Sequence, residues 1–539
     1  MAPKIQVVQG AAQVPCRIEE GPGAYTDIVG SAETAEKPIV AGVWTLADIE
    51  EETPAWETEW DEVKYIVEGE AVFKDESTGE EFLAKTGDFV WFPTGAKTAL
   101  VRSSNLKTLY TEQRHANWAE DRNEAIAETD TRLKELIQSF IESNPGSAKA
   151  AKDAASVLPG GNTRTVLHQT PFPLVLRSGS GVSVTSMDGD TYIDFVSEYS
   201  ACMFGHSHPR IHEAVHEALS IGMNLGSVIG KEAEFGSLIQ KRFPSMELMR
   251  FANSGTEANT LALTGALAFT GRKEVLVFKH GYHGSTISFP LGADSPTNLP
   301  YQFVVGTFND IEATRPLLRA EIGAILVEPL QSSGGMVLGN PEFLQFLRDA
   351  ADVLGAVLIF DEVVTSRLDY HGLQGYFGIK PDMTTLGKYI GGGFSFGCFG
   401  GKREIMQQFD PTTKDFLAHS GTFNNNVFTM VAGIAGLKLT TADEIHRINN
   451  LGNKLRKKIN EMVLEKGTLE IKAIGFGSAI GFHFVSERGE IVRDIFYFEL
   501  LKRGILIGRR GFAMLNLTHT EAHIDRLVEA FSDIVSTFT

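Results

Sequence analysis

The sequence predicts an all-β module followed by a larger α/β domain with a mainly parallel, helix-flanked sheet and a small α+β lobe behind it. Three observations carry this prediction. Between about residues 38 and 114, strand-forming runs (Tyr65-Ile-Val, Ala71-Val-Phe, Asp88-Phe-Val-Trp-Phe, Thr98-Ala-Leu-Val) alternate with Gly, Pro and Asp. From Ala116 to Ser143 there is neither Gly nor Pro, and Leu133, Leu136, Ile137, Phe140 and Ile141 recur at helical spacing. Beyond about residue 180, helical stretches alternate with short apolar runs such as Val275-Leu-Val-Phe278 and Ala324-Ile-Leu-Val-Glu328, the pattern of a sheet covered by helices.

These changes divide the chain into a β module at 1–115, a helical linker and lead-in at 116–157, a large domain at 158–430 and a small lobe at 431–539. The first helix is expected to end at Asn144-Pro-Gly146. With 539 residues, the chain exceeds the size over which one hydrophobic core keeps growing. A formal charge of −19 and a pI near 5.3 repel phosphate backbones and anionic lipid, which argues against nucleic acid or a membrane surface as partner. No segment approaches the roughly 20 apolar residues of a membrane span, and Met1-Ala-Pro-Lys-Ile-Gln lacks a signal-peptide core, which points to the cytosol. Cys16, Cys202 and Cys398 show no Cys-x-x-Cys spacing, as expected of a reducing compartment, and offer neither a disulfide framework nor a zinc site.

The chemistry gathers where apolar runs end. Tyr282, Glu328 and Asp361 each follow one, and in parallel sheets ligands collect beyond the carboxyl ends of strands. Lys388 lies in Thr385-Leu-Gly-Lys-Tyr-Ile-Gly-Gly-Gly393, and Asp361 closes Ala356-Val-Leu-Ile-Phe-Asp361. A lysine and a carboxylate so placed suit pyridoxal 5'-phosphate (PLP): the amine forms a Schiff base with the aldehyde and the acid keeps the ring nitrogen protonated. Asn253-Ser-Gly-Thr-Glu-Ala-Asn259 sets Ser254, Gly255 and Thr256 before a helix-forming stretch, a ready phosphate cradle. Tyr282, in His280-Gly-Tyr-His-Gly284, offers a ring to stack on the cofactor, and Val363 offers packing for its other face. Taken singly, Ser254 reads as a helix cap, Tyr282 as a core ring and Lys388 as a surface lysine; together and in this order they read as a site.

From about Leu158 to the C-terminus the chain resembles the class III, fold-type I aminotransferases. The resemblance rests on Asn253–Asn259, His280–Gly284, Val327-Glu-Pro329, Phe360-Asp-Glu-Val363, Leu386-Gly-Lys388 and Ser420-Gly-Thr-Phe-Asn424. Leu158-Pro-Gly-Gly-Asn-Thr-Arg164 and Asp361-Glu-Val-Val-Thr-Ser-Arg-Leu368 carry a finer match to the β-phenylalanine aminotransferases and their relatives, the glutamate-1-semialdehyde aminomutases.

The resemblance implies PLP as cofactor, phosphate contacts from Gly255 and Thr256, and ring contacts from Tyr282 and Val363. It implies pairing of the pyridinium with Asp361 and a Schiff base on Lys388. It further implies that Thr422 reaches the phosphate of a neighbouring subunit, hence a homodimer with shared sites, and that Arg164 clamps the substrate carboxylate. Arg509 and Arg510 are the candidate cations for the second carboxylate of an acceptor such as 2-oxoglutarate; pyruvate is the other acceptor considered. Aminomutases usually carry Gly-Phe-Arg where this chain has Ser366-Arg367, which favours transfer over mutation.

The front module resembles a cupin of the ethanolamine-utilisation type through Glu62-Val-Lys-Tyr-Ile-Val-Glu-Gly-Glu70 and Gly87-Asp-Phe-Val-Trp-Phe-Pro-Thr-Gly95. The metal-ligand positions of that pattern hold Trp56, Thr58 and Thr98, and only Glu62 is kept, so no metal is expected. The expected function is a PLP-dependent aminotransferase with β-amino acids favoured as donors. An aminomutase and a catalytically idle sensor are the alternatives.

Overall fold

The computed structural model describes residues 18–538 apart from 21–22, 31–38, 47, 51, 59–60, 113–119, 291–294, 468–470 and 487, so Cys16 lies outside the described residues. The chain divides into two compact units, Met1–Asp130 and Thr131–Thr539.

The first unit is an eight-stranded antiparallel sheet. Its spine is the long pair Glu62–Asp75 and Lys97–Glu112, and the strands Ile18–Glu20 and Gly23–Gly30 extend it beyond the segment legible in the sequence. The spine changes register around Gly69, whose φ is +78° and whose missing Cβ would stand 2.1 Å from the carbonyl oxygen of Asn105. Only glycine satisfies both the dihedral and the approach. One face buries Leu46, Ile66, Phe73, Val90, Phe92, Leu100 and Leu106.

On that face Glu62 and Lys64 alternate with exposed neighbours, and both are buried. The Lys64 ammonium pairs with the Glu62 carboxylate and lies 4.5 Å from the Trp44 ring and 5.5 Å from the Tyr110 ring. The one carboxylate kept from the cupin ligand pattern is therefore neutralised by the chain's own cation. Thr58 and Thr98 are buried, and Trp56 pairs with Thr98 across the strands.

Leu136 and Phe140 are buried in the core of the second unit, with Leu133 and Ile137 packed against it, as their spacing in the helix Glu120–Ser143 requires. The first helix ends at Ser143 and Asn144 leaves the helical state, with φ −127° and ψ 51°, at the break expected from Asn144-Pro-Gly146. A second helix, Pro145–Ala155, starts there with Pro145 in its first turn, where the missing N–H has no partner to lose.

The central sheet has seven strands in the order Leu248–Ala252, Gly397–Gly401, Met383–Gly387, Val357–Asp361, Ile322–Val327, Glu274–Phe278, Gln302–Gly306. The last five run parallel, and Gly397–Gly401 is antiparallel to both neighbours. Strands covered on both faces read as unbroken apolar runs, which is how Ile322–Val327 and Val357–Asp361 appear in the sequence. Ala324, Leu326, Val357 and Ile359 meet Ala258, Ala262, Leu263 and Ala266 of the helix Gly255–Thr270. Their alternates Ile325, Val327, Leu358 and Phe360 meet Phe343, Leu344, Leu347 and Ala351 of the helix Pro341–Leu354. Each large side chain so buried contributes about 1.5–3 kcal/mol.

A further core gathers Leu136, Phe140, Val184, Tyr192 and Phe195 with residues from Leu451 to Val535. The strand Thr191–Asp194 pairs with Ile505–Leu506, so the smaller lobe is assembled from both ends of this unit. The helix Val427–Leu439 runs unbroken through position 430, where composition suggests the small lobe begins. Among the described residues no helix is long and apolar enough to cross a membrane.

Candidate active site

The parallel strands ending at Phe278, Val327, Asp361 and Gly387 stop on one rim of the sheet, and His280–Gly284, Glu328, Asp361 and Lys388 occupy it. Asp361 is 3% exposed. Its Oδ2 accepts from Asn259 Nδ2 and His283 Nδ1, each at 2.8 Å, and its Oδ1 accepts from the Val363 N–H at 3.0 Å. A ring nitrogen facing a carboxylate carries a proton, which fixes that His283 nitrogen as a donor. The Thr385 hydroxyl spends its one hydrogen on Asn259 Oδ1 at 2.6 Å, so Asp361 Oδ1 keeps a lone pair for a further donor.

Asn259 and His283 were not singled out from the sequence, although both lie inside motifs that were. The available signal was Asn259 itself, an amide buried on a helix face otherwise built of Ala258, Ala262, Leu263, Gly265 and Ala266.

Ser254 caps that helix, its Oγ accepting from the Glu257 N–H at 3.1 Å, while the N–H groups of Gly255 and Thr256 open the first turn. Packing enforces the glycines here. A Cβ on Gly255 would stand 3.0 Å from both Val363 methyls, and one on Gly284 (φ +115°) would stand 2.3 Å from Thr256 Oγ1. The His280–Gly284 loop is thereby pressed against the helix start. Its Tyr282 is 47% exposed and donates its backbone N–H to Glu328 Oε2 at 2.9 Å. The other Glu328 oxygen accepts from the Ser332 hydroxyl at 3.1 Å. Burial, with the nearby Asp361 charge, pushes the Glu328 carboxyl up to about 7, against the pull of His283.

Lys388 follows its strand with φ +51°, a left-handed backbone that an L-residue holds only under constraint. Burial lowers the basicity of its amine; Asp361, Glu198 and Glu328 oppose that effect and Arg164 adds to it. Charges from four separate segments thus meet at one amine.

Arg164 donates to Glu198 Oε1 at 2.7 Å, and its guanidinium carbon lies 5.5 Å from the Tyr199 ring centre. Arg510 is exposed, makes no hydrogen bond or ion pair among the described residues, and acts electrostatically on Tyr199. Its neighbour Arg509 does not join this group. It pairs with Asp494 Oδ2 at 2.8 Å, donates to the Thr170 carbonyl and lies 5.1 Å from the Phe498 ring centre, so its charge serves the packing of the smaller lobe. Arg367 is also structural: it is fully buried and donates to the carbonyls of Ser200 and Leu515. Thr422 is exposed, in a loop tied to the helix start through Asn253 Nδ2 donating to Asn424 Oδ1 at 2.9 Å.

This fold and this rim are those of a transaminase. The family described as aminotransferase class-III matches residues 166–535, and the chain belongs to it. The family described as ethanolamine utilisation protein EutQ matches residues 21–120. The chain is 44% identical over 426 residues to the β-phenylalanine transaminase of Variovorax paradoxus, covering 76% of this chain and 97% of that one. The solved structure of a β-phenylalanine aminotransferase from that organism superposes with a TM-score of 0.74 at 43% identity, over 76% of this chain and 98% of the other. A glutamate-1-semialdehyde aminomutase of Desulforudis audaxviator is 34% identical over 71% of this chain and 96% of its own. A transaminase solved with PLP bound superposes with a TM-score of 0.68 at 32% identity over 73% of this chain and 97% of that one.

Proposed function

We propose that this aminotransferase takes β-amino acids as donors and passes the amino group to a keto acid, 2-oxoglutarate or pyruvate, with PLP held on the rim described above. The observation that carries the reading is the pairing of Lys388 and Asp361 at the ends of adjacent parallel strands, with the carboxylate clamped by Asn259 and His283 and one lone pair left open. The donor set fits the cofactor: a helix start for a phosphate, a buried carboxylate for a ring N–H, an amine of reduced basicity, and Tyr282 and Val363 to flank a flat ring.

When bound, PLP supplies a carbonyl carbon that exchanges amines and a ring that withdraws electrons from the carbon losing its proton. Gly255 and Thr256 would hold its phosphate through their N–H groups, with Ser254 fixing the turn. Glu328 would hold the Tyr282 loop in place, and Asp361 Oδ1 would retain the ring-nitrogen proton. Lys388 Nζ would carry the cofactor at rest and, once free, take a proton from the donor carbon and deliver it to the carbon of the cofactor's aldehyde group; its lowered basicity suits both taking and giving. Arg164 would orient the donor carboxylate and Arg510 the distal carboxylate of a dicarboxylic acceptor. Thr422 would reach the phosphate of a second copy, so that a cytosolic homodimer completes two sites. The sequence pattern and antiparallel strands of the front module support a cupin-type barrel.

The test is borohydride reduction of the yellow protein followed by peptide mass analysis, together with turnover of β-phenylalanine against 2-oxoglutarate and pyruvate. Cofactor mass on the peptide containing Lys388 is expected, as is a rise in KM for 2-oxoglutarate but not for pyruvate in Arg510→Ala. Labelling at another lysine, or full turnover by Lys388→Ala, refutes the reading.

A further inference from the structure

Residues Ser197, Glu198, Tyr199 and Ser200 all have positive φ, at 46°, 47°, 53° and 78°. Four consecutive L-residues in the left-handed region form a turn that local preference opposes at every step. It persists because the surroundings over-determine it. Asp194 accepts from the N–H groups of Val196 and Ser197, the Ser197 hydroxyl donates to the Met514 carbonyl, Asn516 Nδ2 donates to Ser197 Oγ, and buried Arg367 donates to the Ser200 carbonyl. Backbone strain held this firmly marks a position where a side chain must point one way. The residue so aimed is Glu198, and its target is Arg164 at 2.7 Å.

We propose that Glu198 is a resident competitor for Arg164, so that an incoming substrate carboxylate must displace it before the donor can settle over Lys388; this rests on the role given to Arg164 above. The pair is open to solvent, with side-chain exposures of 46% and 54%, so a small carboxylate has access to it. It is not an incidental surface contact, because an ordinary exposed pair needs no left-handed turn bonded to three other segments. Both charges also act on Lys388.

Two consequences follow from charge counting. With no substrate, the Arg164 charge is already balanced, so a donor lacking a carboxylate leaves no uncompensated guanidinium in the cleft. With a carboxylate bound, Glu198 is the surplus anion, which tempers affinity and speeds release. Glu198 thereby sets how strongly the enzyme discriminates between amino acids and simple amines.

The experiment uses the holoenzyme and hydrocinnamate, a carboxylate with no amine to react, whose Kd is read by titration calorimetry. The variants are Glu198→Gln, Glu198→Asp and Arg164→Ala. Glu198→Gln is expected to tighten hydrocinnamate by about two- to fivefold, the size of an exposed ion pair. It is expected to lower the KM of β-phenylalanine by the same factor with a smaller change in kcat, and to leave the KM of α-methylbenzylamine unchanged. Glu198→Asp, which keeps the charge, is expected to return the Kd toward wild type. If Arg164→Ala weakens hydrocinnamate while Glu198→Gln leaves it unchanged or weakens it, the competitor role is overturned and the reading of Arg164 stands. If Arg164→Ala has no effect on hydrocinnamate, the reading of Arg164 fails and the competitor role fails with it.

Discussion

Asn259 is the residue whose removal tests the construction of the rim most directly. Its side chain makes three bonds: Nδ2 donates to Asp361 Oδ2 at 2.8 Å and to the His283 carbonyl at 3.0 Å, and Oδ1 accepts from Thr385 Oγ1 at 2.6 Å. The first involves a carboxylate and is worth about 1.5–3 kcal/mol, and the two neutral bonds about 1 kcal/mol each. The Thr385 hydroxyl stands 3.4 Å from Asp361 Oδ1 and recovers part of the loss by turning to it. Asn259→Ala should therefore cost the larger unit about 2–4 kcal/mol. Asn259→Asp should cost more above the usual carboxylate range, since it sets a second buried anion against Asp361. The assay is urea unfolding of the apoprotein followed by far-ultraviolet circular dichroism. All five tryptophans, Trp44, Trp56, Trp60, Trp91 and Trp118, precede Asp130, so tryptophan fluorescence reports the first unit and should not move. An Asn259→Asp variant as stable as wild type at neutral pH would refute the argument, because the carboxylate would then not depend on its amide donor.

Two further outcomes are expected. Burial, chiefly, lowers the fully buried His519 imidazole from its usual 6.5 to about 3, while its ring nitrogen accepts from the Asn516 N–H at 3.0 Å. Between those values the unfolded chain binds the proton that the folded chain refuses. Stability is therefore intact above about pH 6.5 and is lost as the pH falls, by up to about 1.4 kcal/mol per unit. His519→Gln should move the acid-unfolding midpoint of the larger unit to lower pH, and an unchanged midpoint counts against the assignment. In the first unit, Lys64→Met leaves the buried Glu62 carboxylate without its cation and should cost about 3–5 kcal/mol by tryptophan fluorescence in urea. Adding Glu62→Gln to that variant should restore most of the loss, and failure to do so would show that the cation matters for something other than its pair.

Much of the site was legible because its chemistry is written in short, contiguous segments. The apolar runs ending at Val327 and Asp361 announce strands buried on both faces, Ser254-Gly-Thr announces a helix start, and Lys388 stands out among glycines. Arg509 and Arg510 show where such reading ends. Adjacent in sequence, one is absorbed by Asp494 and the Phe498 ring and the other stays exposed near Tyr199, a difference set by residues distant along the chain. The break at Asn144-Pro145 was legible, but the second helix that opens at Pro145 was not, since a proline that ends one helix is equally suited to begin the next.

The sequence by itself determined the two-part organisation and the parallel sheet, and it singled out Lys388 and Asp361 as the candidate lysine and acid. Periodicity and turn chemistry are local properties, and those residues are recognisable within a few positions of themselves. Only the tertiary structure decided that Asn259 and His283 hold Asp361, that Lys64 neutralises Glu62 against aromatic rings, and that a left-handed turn aims Glu198 at Arg164. Each of these depends on a dihedral that the isolated segment would not choose or on a partner supplied by another segment, and the energy that holds them comes from the packed whole.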